Sequence, residues 1–425
     1  MKNLIEELKW RGLLQDIMPG TEELLMKERV IGYVGFDPTS DSLTIGNMVP
    51  IMLLMHLQKA GHKPLALVGG ATGMVGDPSG KSEERNLLSI EQINHNLNGI
   101  QKQLEKFLDF DCGDCSAEIV NNYDWFKNFS FLEFIRDAGK HITVSYMMSK
   151  DSVKSRLEGG MSFTEFSYQL IQGYDFYHLY QEKNCKLQMG GSDQWGNITT
   201  GTELIRRKAG GEGFAFTAPL ITKSDGTKFG KSEGGNVWLD AQKTSPYKFY
   251  QFWLNNSDED AKKFIKIFTF LSKDEIENLI IEHDKTPHLR LLQKELAMQF
   301  TSRVHGADAY ELAVKTSELL FGKSTKEALA SLSTEQIEEV FEGVSQFNID
   351  KNILTESISL IDFLSEKTGI FSSKGEAKRS LQENAISINM EKVKLEDTAS
   401  INMLINDKII LVKKGKSNYY LVKAN

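Results

Sequence analysis

Apolar positions along the 425-residue chain fall into short unbroken runs and helix-period stretches, and the joints between them are rich in glycine. Residues 29–36, with Val30, Ile31, Tyr33, Val34 and Phe36, predict a buried strand ending at Gly35-Phe36-Asp37-Pro38-Thr39. The capping types Thr39-Ser40-Asp41-Ser42 follow, and an apolar helix is expected from about 43 to 58, interrupted early by Pro50. Residues 63–68 read as a second strand leading into Gly69-Gly70-Ala71-Thr72-Gly73. Residues 186–189 read as a third, ending at Gly190-Gly191-Ser192-Asp193 before a helix that runs through Ile205. Strands that end in glycine-rich turns before helices imply a Rossmann-like parallel α/β sheet with ligands at the strand C-termini.

Between the second and third strands, about 121–183 reads as a helical insertion rich in aromatics such as Trp125, Phe126, Phe129 and Phe131, types suited to core or subunit-interface packing. From Ser245-Pro246-Tyr247 the pattern is helical, 331–346 is acidic and serine-dotted like a hinge, and the strand-like runs 385–388 and 408–413 close the chain. The expected domains are a catalytic domain over 1–235, an α-helical domain over 236–330, a linker over 331–350 and a small α+β domain over 351–425.

Charge sharpens this division. The net charge is −8, yet residues 351–425 hold 12 Lys and Arg against 9 Asp and Glu, a local +3 that suits a C-terminal module for an anionic partner. No run of 18 apolar residues exists, so no membrane partner is expected, and the first ten residues read as an amphipathic helix without a signal-peptide core. Three cysteines fit a reducing cytoplasm, the expected location. Cys112-Gly113-Asp114-Cys115 has the spacing of half a metal site, but without a second pair a loop of reduced thiols is the better reading. No protein-held metal is expected.

Two lysines three apart, in Lys228-Phe229-Gly230-Lys231-Ser232, lie among Gly226, Gly230, Gly234 and Gly235. A lysine ammonium on a flexible stem suits a phosphate whose charge moves during a reaction. Gly80-Lys81-Ser82 invites a phosphate-loop reading from Gly76, but only three residues separate the glycines and Pro78 removes a backbone donor. Asp77 makes better sense as a receptor for a substrate ammonium. Donors spread over Thr39, Thr44-Ile45-Gly46-Asn47, Lys81, Arg85, Lys228 and Lys231 fit nucleotidyl transfer, in which electrostatic stabilisation carries the rate.

These segments, together with Phe163-Thr164-Glu165-Phe166-Ser167-Tyr168, Tyr174-Asp175-Phe176, Gln188 through Asn197 and Thr244-Ser245-Pro246-Tyr247, make the chain resemble the bacterial tyrosyl-tRNA synthetases, class I aminoacyl-tRNA synthetases, over essentially its whole length. The resemblance implies a ligase that activates L-tyrosine with ATP and transfers it to the 3′ end of its tRNA. It assigns Tyr33 and Asp175 to the substrate phenol, Asp77, Tyr168 and Gln172 to the ammonium, and Gln194 to the carboxylate side. Asp37, Thr44, Gly46, Asn47, Gly191, Asp193 and Lys231 fall to ATP, with Gly191 and Asp193 at the ribose. Thr39, Lys81, Arg85, Lys228, Lys231 and Ser232 fall to the polyphosphate and are the catalytic set. Lys150, Arg206 and Arg207 are expected toward the tRNA acceptor stem, and Lys374, Lys378 and Arg379 toward its backbone. The resemblance further implies ATP as substrate with Mg²⁺ bound mainly through its phosphates, no organic cofactor, and a homodimer joined by the insertion.

A buried donor–acceptor pair left unsatisfied by phenylalanine removes the need for an editing domain, an effect for which this family is itself the standard illustration. The chain departs from the family's His-Ile-Gly-His signature by reading Thr44-Ile45-Gly46-Asn47. Asn47 keeps a donor, whereas Thr44 is shorter and uncharged. That departure motivates one rival reading, an RNA-binding paralogue without catalysis. A synthetase for another aromatic amino acid is the second.

Overall fold

The computed structural model describes residues 3–79, 87–157, 160–232, 235–321, 329–341, 344–415 and 418–425. They divide into two compact units, 1–244 with 252–304 and 245–251 with 305–425.

The first unit opens with helix α1 (Leu4–Arg11) and is built on a five-stranded sheet. In chain order its main elements are β1 (Ile31–Phe36), α2 (Met48–Lys59), β2 (Lys63–Val68), α3 (Ile90–Leu104), β3 (Glu118–Asn121), α4 (Phe163–Lys183), β4 (Cys185–Gly191), α5 (Trp195–Leu204) and β5 (Phe214–Ala218). The strand order is β3-β2-β1-β4-β5, and every neighbouring pair is parallel. Such a sheet is covered on both faces, which is why Tyr33, Val34, Leu65, Ala66, Leu187 and Met189 are all buried. The chain moves outward from β1 to β2 and β3, then returns to lay β4 on the other side of β1. The topological switch point therefore lies between β1 and β4, and a crevice opens beyond their C-terminal ends.

The three strands read from the pattern are present, with β4 slightly longer than expected. β3 and β5 are additions. β3 is a four-residue edge strand with glutamate and asparagine at its ends, and Phe-Ala-Phe-Thr-Ala is too short to declare a period. Pro50 does not interrupt α2. A 3₁₀ turn over Ile45–Asn47 precedes the helix, and Pro50 is its third residue, where the missing N–H has no partner to lose.

The insertion carries short helices that pack Phe126, Phe129 and Phe134 around Tyr174. Its outer side keeps Phe131, Leu132, Val144 and Phe163 at 61–72% exposure. A cavity of about 730 Å³, lined by Phe131, Phe134, Ile135, Phe163, Phe166 and Leu170 among others, lies along this side. A further helix, α6 (Asp258–Phe268), contributes Phe264 and Phe268 to an aromatic cluster with Trp253 and Phe300.

In the second unit, a mixed sheet runs β8-β7-β9-β10-β6. It is formed by β6 (Ser345–Ile349), β7 (Ile386–Ile388), β8 (Glu391–Lys392), β9 (Ile409–Lys414) and β10 (Asn418–Ala424), with α7 (Lys374–Gln382) beside it. Alternation along β9 sends Ile410 and Val412 to one core with Phe363 and Leu381, and Ile409 and Leu411 to another with Leu332, Ile337 and Phe341. The segment expected as a linker over 331–350 is thus part of this module. A helix over Thr334–Val340 covers one sheet face, and β6 pairs in parallel with β10. Its acidic residues mark the solvent side of a helix whose Ile337 is fully buried. Among the described residues, no helix is long and apolar enough to cross a membrane.

Candidate active site

Beyond the end of β1, a chain of hydrogen bonds links the strand ends to α4. On that helix Tyr168, Gln172 and Asp175 are spaced four and three apart and share one face. The Tyr168 hydroxyl donates to Asp37 Oδ2 at 2.7 Å, and Thr72 Oγ1 donates to Asp37 Oδ1 at 2.7 Å. Asn122 Nδ2 then donates to Thr72 Oγ1 and to Asp175 Oδ2, both at 3.1 Å, while its Oδ1 accepts from the Ala71 N–H at 2.7 Å. Trp125 Nε1 donates to the other Asp175 oxygen at 2.9 Å. The turn after β2 passes so close that a Cβ on Gly69 would lie 2.2 Å from Asp37 Oδ1, which accounts for glycine there. Asp37, expected on the nucleotide side, is bonded to Tyr168 and, through Thr72 and Asn122, linked to Asp175.

Tyr33, from the middle of β1, is 1% exposed, and its hydroxyl is buried with no hydrogen-bond partner among the described residues. Burial, followed by the nearby charge of Asp175, holds its phenol well above the ordinary range. Burial likewise pushes the Asp175 carboxyl up to about 8, against the pull of its bonds from Asn122 and Trp125. A phenol donor without a partner and a carboxyl held by two fixed donors form the floor of the crevice.

A second cluster surrounds Asp77. Gln194 Nε2 donates to Asp77 Oδ2 at 2.7 Å and the Ser79 N–H to Oδ1 at 2.9 Å. Asn197 Nδ2 lies 3.0 Å from Gln172 Oε1, 3.2 Å from Ser79 Oγ and 3.3 Å from Gln194 Oε1. Every hydrogen-bond donor to Asp77 among the described residues is neutral, and none of them is a counter-ion. A buried carboxylate in a shell of amides is a receptor for a cation. Tyr168, expected in this cradle, gives its hydroxyl to Asp37, and Asp77 acts on it only through charge.

A third group, expected toward the nucleotide, lies on the turn before α2. Asn47 Oδ1 accepts both the backbone N–H and the hydroxyl of Thr44, each at 2.9 Å. Two donors thus fix the side-chain oxygen of Asn47. The lysine loop is held against this turn. Ile45 N donates to Val237 O, Leu239 N to Leu43 O, and Val237 N to Gly230 O. At φ +93°, Gly230 comes so near that a Cβ would meet the Gly46 nitrogen at 3.2 Å. Next to it Phe229 is buried among Phe252, Trp253, Phe264 and Phe268.

Lys228 is exposed, as is Thr39. Lys231 and Ser232 form a two-residue strand paired with Gly235–Asn236, and their side chains lie outside the described residues, as do Lys81 and Arg85 entirely. At the end of β4, a Cβ on Gly191 would lie 2.5 Å from Asp193 Oδ1.

The cations expected toward RNA differ in their freedom. Lys150 donates to Thr199 Oγ1 at 2.9 Å and lies 3.9 Å over the Tyr146 ring. Arg206 and Arg207 both grip Glu203, whose carboxyl their hydrogen bonds bring down to about 2. Lys374 is paired with Asp362 at 2.6 Å and Glu366 at 2.9 Å. Lys378 and Arg379 are exposed on α7, where Arg379 makes only a 3.4 Å bond to Gly375 O.

Sequence reading missed Thr72, Asn122 and Trp125 as pocket-forming residues and gave Asn197 no role. The first lies inside the glycine-rich turn quoted above; the other neutral side chains follow strand ends and carry no periodic signal.

Residues 26–322 match the family model of class I tRNA synthetases (W and Y), and 336–422 match that of the tyrosine–tRNA ligase SYY-like C-terminal domain. The chain is 63% identical to the tyrosine–tRNA ligase of Cytophaga hutchinsonii over 100% of both chains. It is 59% identical to that of Bacteroides thetaiotaomicron over 99% of this chain and 100% of the relative. Among solved structures, a C-terminally truncated mitochondrial tyrosyl-tRNA synthetase of Aspergillus nidulans is similar at 31% identity with a TM-score of 0.68, covering 76% of this chain and 95% of that one. The tyrosyl-tRNA synthetase of Archaeoglobus fulgidus, at 16% identity and a TM-score of 0.54 over 73% of this chain and 99% of that one, shares the fold. With family models matching both its larger and smaller parts and relatives matching it from end to end, the chain belongs to the tyrosine–tRNA ligases of the class I tRNA synthetases.

Proposed function

We propose that the crevice beyond β1 and β4 activates L-tyrosine with ATP and passes the tyrosyl group to the 3′ end of its tRNA. The observation that carries this reading is the unpartnered Tyr33 hydroxyl beside a carboxyl fixed by Asn122 and Trp125. A substrate phenol, at once donor and acceptor, satisfies both groups, and phenylalanine leaves both unsatisfied. Asp77, with its neutral shell, takes the ammonium, assisted by Gln172, Asn197 and Gln194. The substrate carboxylate then attacks the α-phosphorus of ATP, the bond to pyrophosphate breaks, and tyrosyl-adenylate forms. Gly191 and Asp193 take the ribose. Asn47 Nδ2, Thr39, Lys81, Arg85, Lys228, Lys231 and Ser232 supply donors to the phosphates. Mg²⁺ enters on the ATP phosphates and neutralises part of their charge. In the second step the terminal adenosine hydroxyl of the tRNA attacks the activated carbonyl and AMP leaves.

Lys150 serves the acceptor end, and Lys378 and Arg379 the RNA backbone. The apolar outer face of the insertion joins two copies into a homodimer, since Phe131, Leu132, Val144 and Phe163 form an exposed patch of the kind that marks an interface. One tRNA then reaches across both subunits. We place the protein in the cytoplasm, where ATP and tRNA are available.

Tyrosine-dependent ATP–pyrophosphate exchange tests the activity: pure protein exchanges, and Lys231→Ala loses about 10²-fold or more. Absence of exchange in the wild type favours the paralogue, and comparable activation of phenylalanine or tryptophan the other synthetase. In the same assay Thr44→Val, which removes one of the two bonds on the Asn47 oxygen, costs about tenfold in rate with little change in the KM for tyrosine.

Stability against pH reads Asp175. The folded chain keeps its proton up to about pH 8, whereas the ordinary value is 3.8. Its contribution is therefore complete below about pH 4, falls as the pH rises to about 8, and is flat above. Urea titrations should show the advantage of wild type over Asp175→Asn shrinking across that window; a constant difference contradicts the assignment. For the dimer, Phe131→Asp combined with Phe163→Asp should sediment as a monomer while the wild type sediments as a dimer.

A further inference from the structure

The thiols of Cys112 and Cys115 have no part in the site above. They lie between α3 and β3, on a 3₁₀ turn over Gly113–Cys115. The two sulfurs are 3.0 Å apart, about 1 Å beyond the bonded distance of a disulfide. Both are free and partly exposed, whereas Cys185 is fully buried in β4. Gly113, at φ +77° with open space around its α-carbon, supplies the turn between them.

One side chain holds both flanks of this turn. Gln58, near the end of α2, donates from Nε2 to Asp109 O at 2.6 Å, to Cys115 O at 2.9 Å and to Cys112 Sγ at 3.5 Å, and its Oε1 accepts from Asp109 N at 3.0 Å. Asp114 is drawn to Arg29 at 2.5 Å, which turns the one acidic residue between the cysteines away from them. The turn is held so that the two sulfurs lie side by side. The hydrogen bond to Cys115 is the main cause holding the Cys112 thiol above the usual range, with burial and the charge of Asp109 adding to it. Such a thiol stays protonated and exchanges slowly until an oxidant accumulates.

We propose that Cys112 and Cys115 are a redox-active dithiol, a modification site that closes to an intramolecular disulfide by exchange with a small-molecule disulfide. One cysteine thiolate attacks a sulfur of the small disulfide, forming a mixed disulfide and expelling one small thiolate. The second cysteine, deprotonated, attacks the protein sulfur of that mixed disulfide and expels the other. Two protein thiols are oxidised, one disulfide is reduced to two thiols, and the protons pass to the departing thiolates.

The test uses the full chain and glutathione disulfide, followed by acid quenching, alkylation of remaining thiols, intact mass and peptide mapping. The wild type should lose two hydrogens, yield a peptide linked between Cys112 and Cys115, keep Cys185 alkylated only after denaturation, and recover both thiols with dithiothreitol. Cys112→Ser and Cys115→Ser should each retain one glutathione instead, because the resolving thiol is gone. A wild type that retains glutathione as a stable adduct, or that keeps all its thiols, overturns the proposal.

Discussion

A carboxyl group removed from water must be given partners or give up its charge, and around Asp175 that requirement organises four elements at once. Asn122 meets it, with a fully buried amide whose oxygen and nitrogen are both committed. To reach Asp175 it must follow directly on β3. To reach Thr72 and the Ala71 N–H, the turn after β2 must bend back beside it, and Thr72 then fixes Asp37 at the end of β1. The strand order β3-β2-β1 is therefore also the order of the hydrogen-bond chain. Losing one member leaves a buried polar group unpaired, which costs about 1–3 kcal/mol each time. Pocket and sheet edge stand or fall together.

This coupling explains what the sequence disclosed and what it concealed. The strand-and-turn signals of β1, β2 and β4 are strong because a parallel strand buried on both faces is nearly all apolar and its exit needs small residues. Hence the strands that bound the crevice, and the turns at their ends, are legible in the sequence. β3 is an edge strand, wet on one side and bounded by Glu118 and Asn121, so its pattern resembles a loop. Without β3, Asn122 and Trp125 fall in the expected helical insertion rather than at a strand end, and the partners of Asp175 cannot be inferred. Asp37 shows the complementary difficulty. A residue at a strand end adjoins both halves of the crevice, and only Tyr168 and Thr72 decide which way its carboxyl is committed. The acidic stretch over 331–346 misled for a different reason, since charge on the outer face of a short helix has the composition of a hinge.

The RNA-facing cations make a similar point about charge. Composition counts Arg206, Arg207 and Lys374 as positive, but each is already engaged with a carboxylate nearby. An engaged guanidinium can still orient on a phosphate, yet it must share or surrender its partner, and its net attraction over distance is reduced. Lys378 and Arg379, one turn further along α7 and without acidic partners among the described residues, keep theirs. The local excess of positive charge is thus more concentrated than the residue count suggests.

The lysine loop combines anchoring with freedom. Phe229 is buried in an aromatic cluster, and large-to-small changes at such sites typically cost about 3–5 kcal/mol. Gly230 sits against Gly46, and residues 237–239 pair with 43–45, so both ends of the loop are tied to the turn that carries Thr44 and Asn47. Lys228 leaves just before the anchor and Lys231 just after it. The backbone from which Lys228 departs is therefore fixed by packing. The Thr44–Asn47 pair follows the same logic. The threonine hydroxyl and its backbone N–H both settle on the asparagine oxygen, so the Asn47 side chain is held by the turn that carries it. On the proposed reading, a donor held in place in this way avoids reorganisation at the moment charge develops. A neutral amide stabilises phosphate charge less than a cation does, so on that reading the remaining charge falls to the lysine loop.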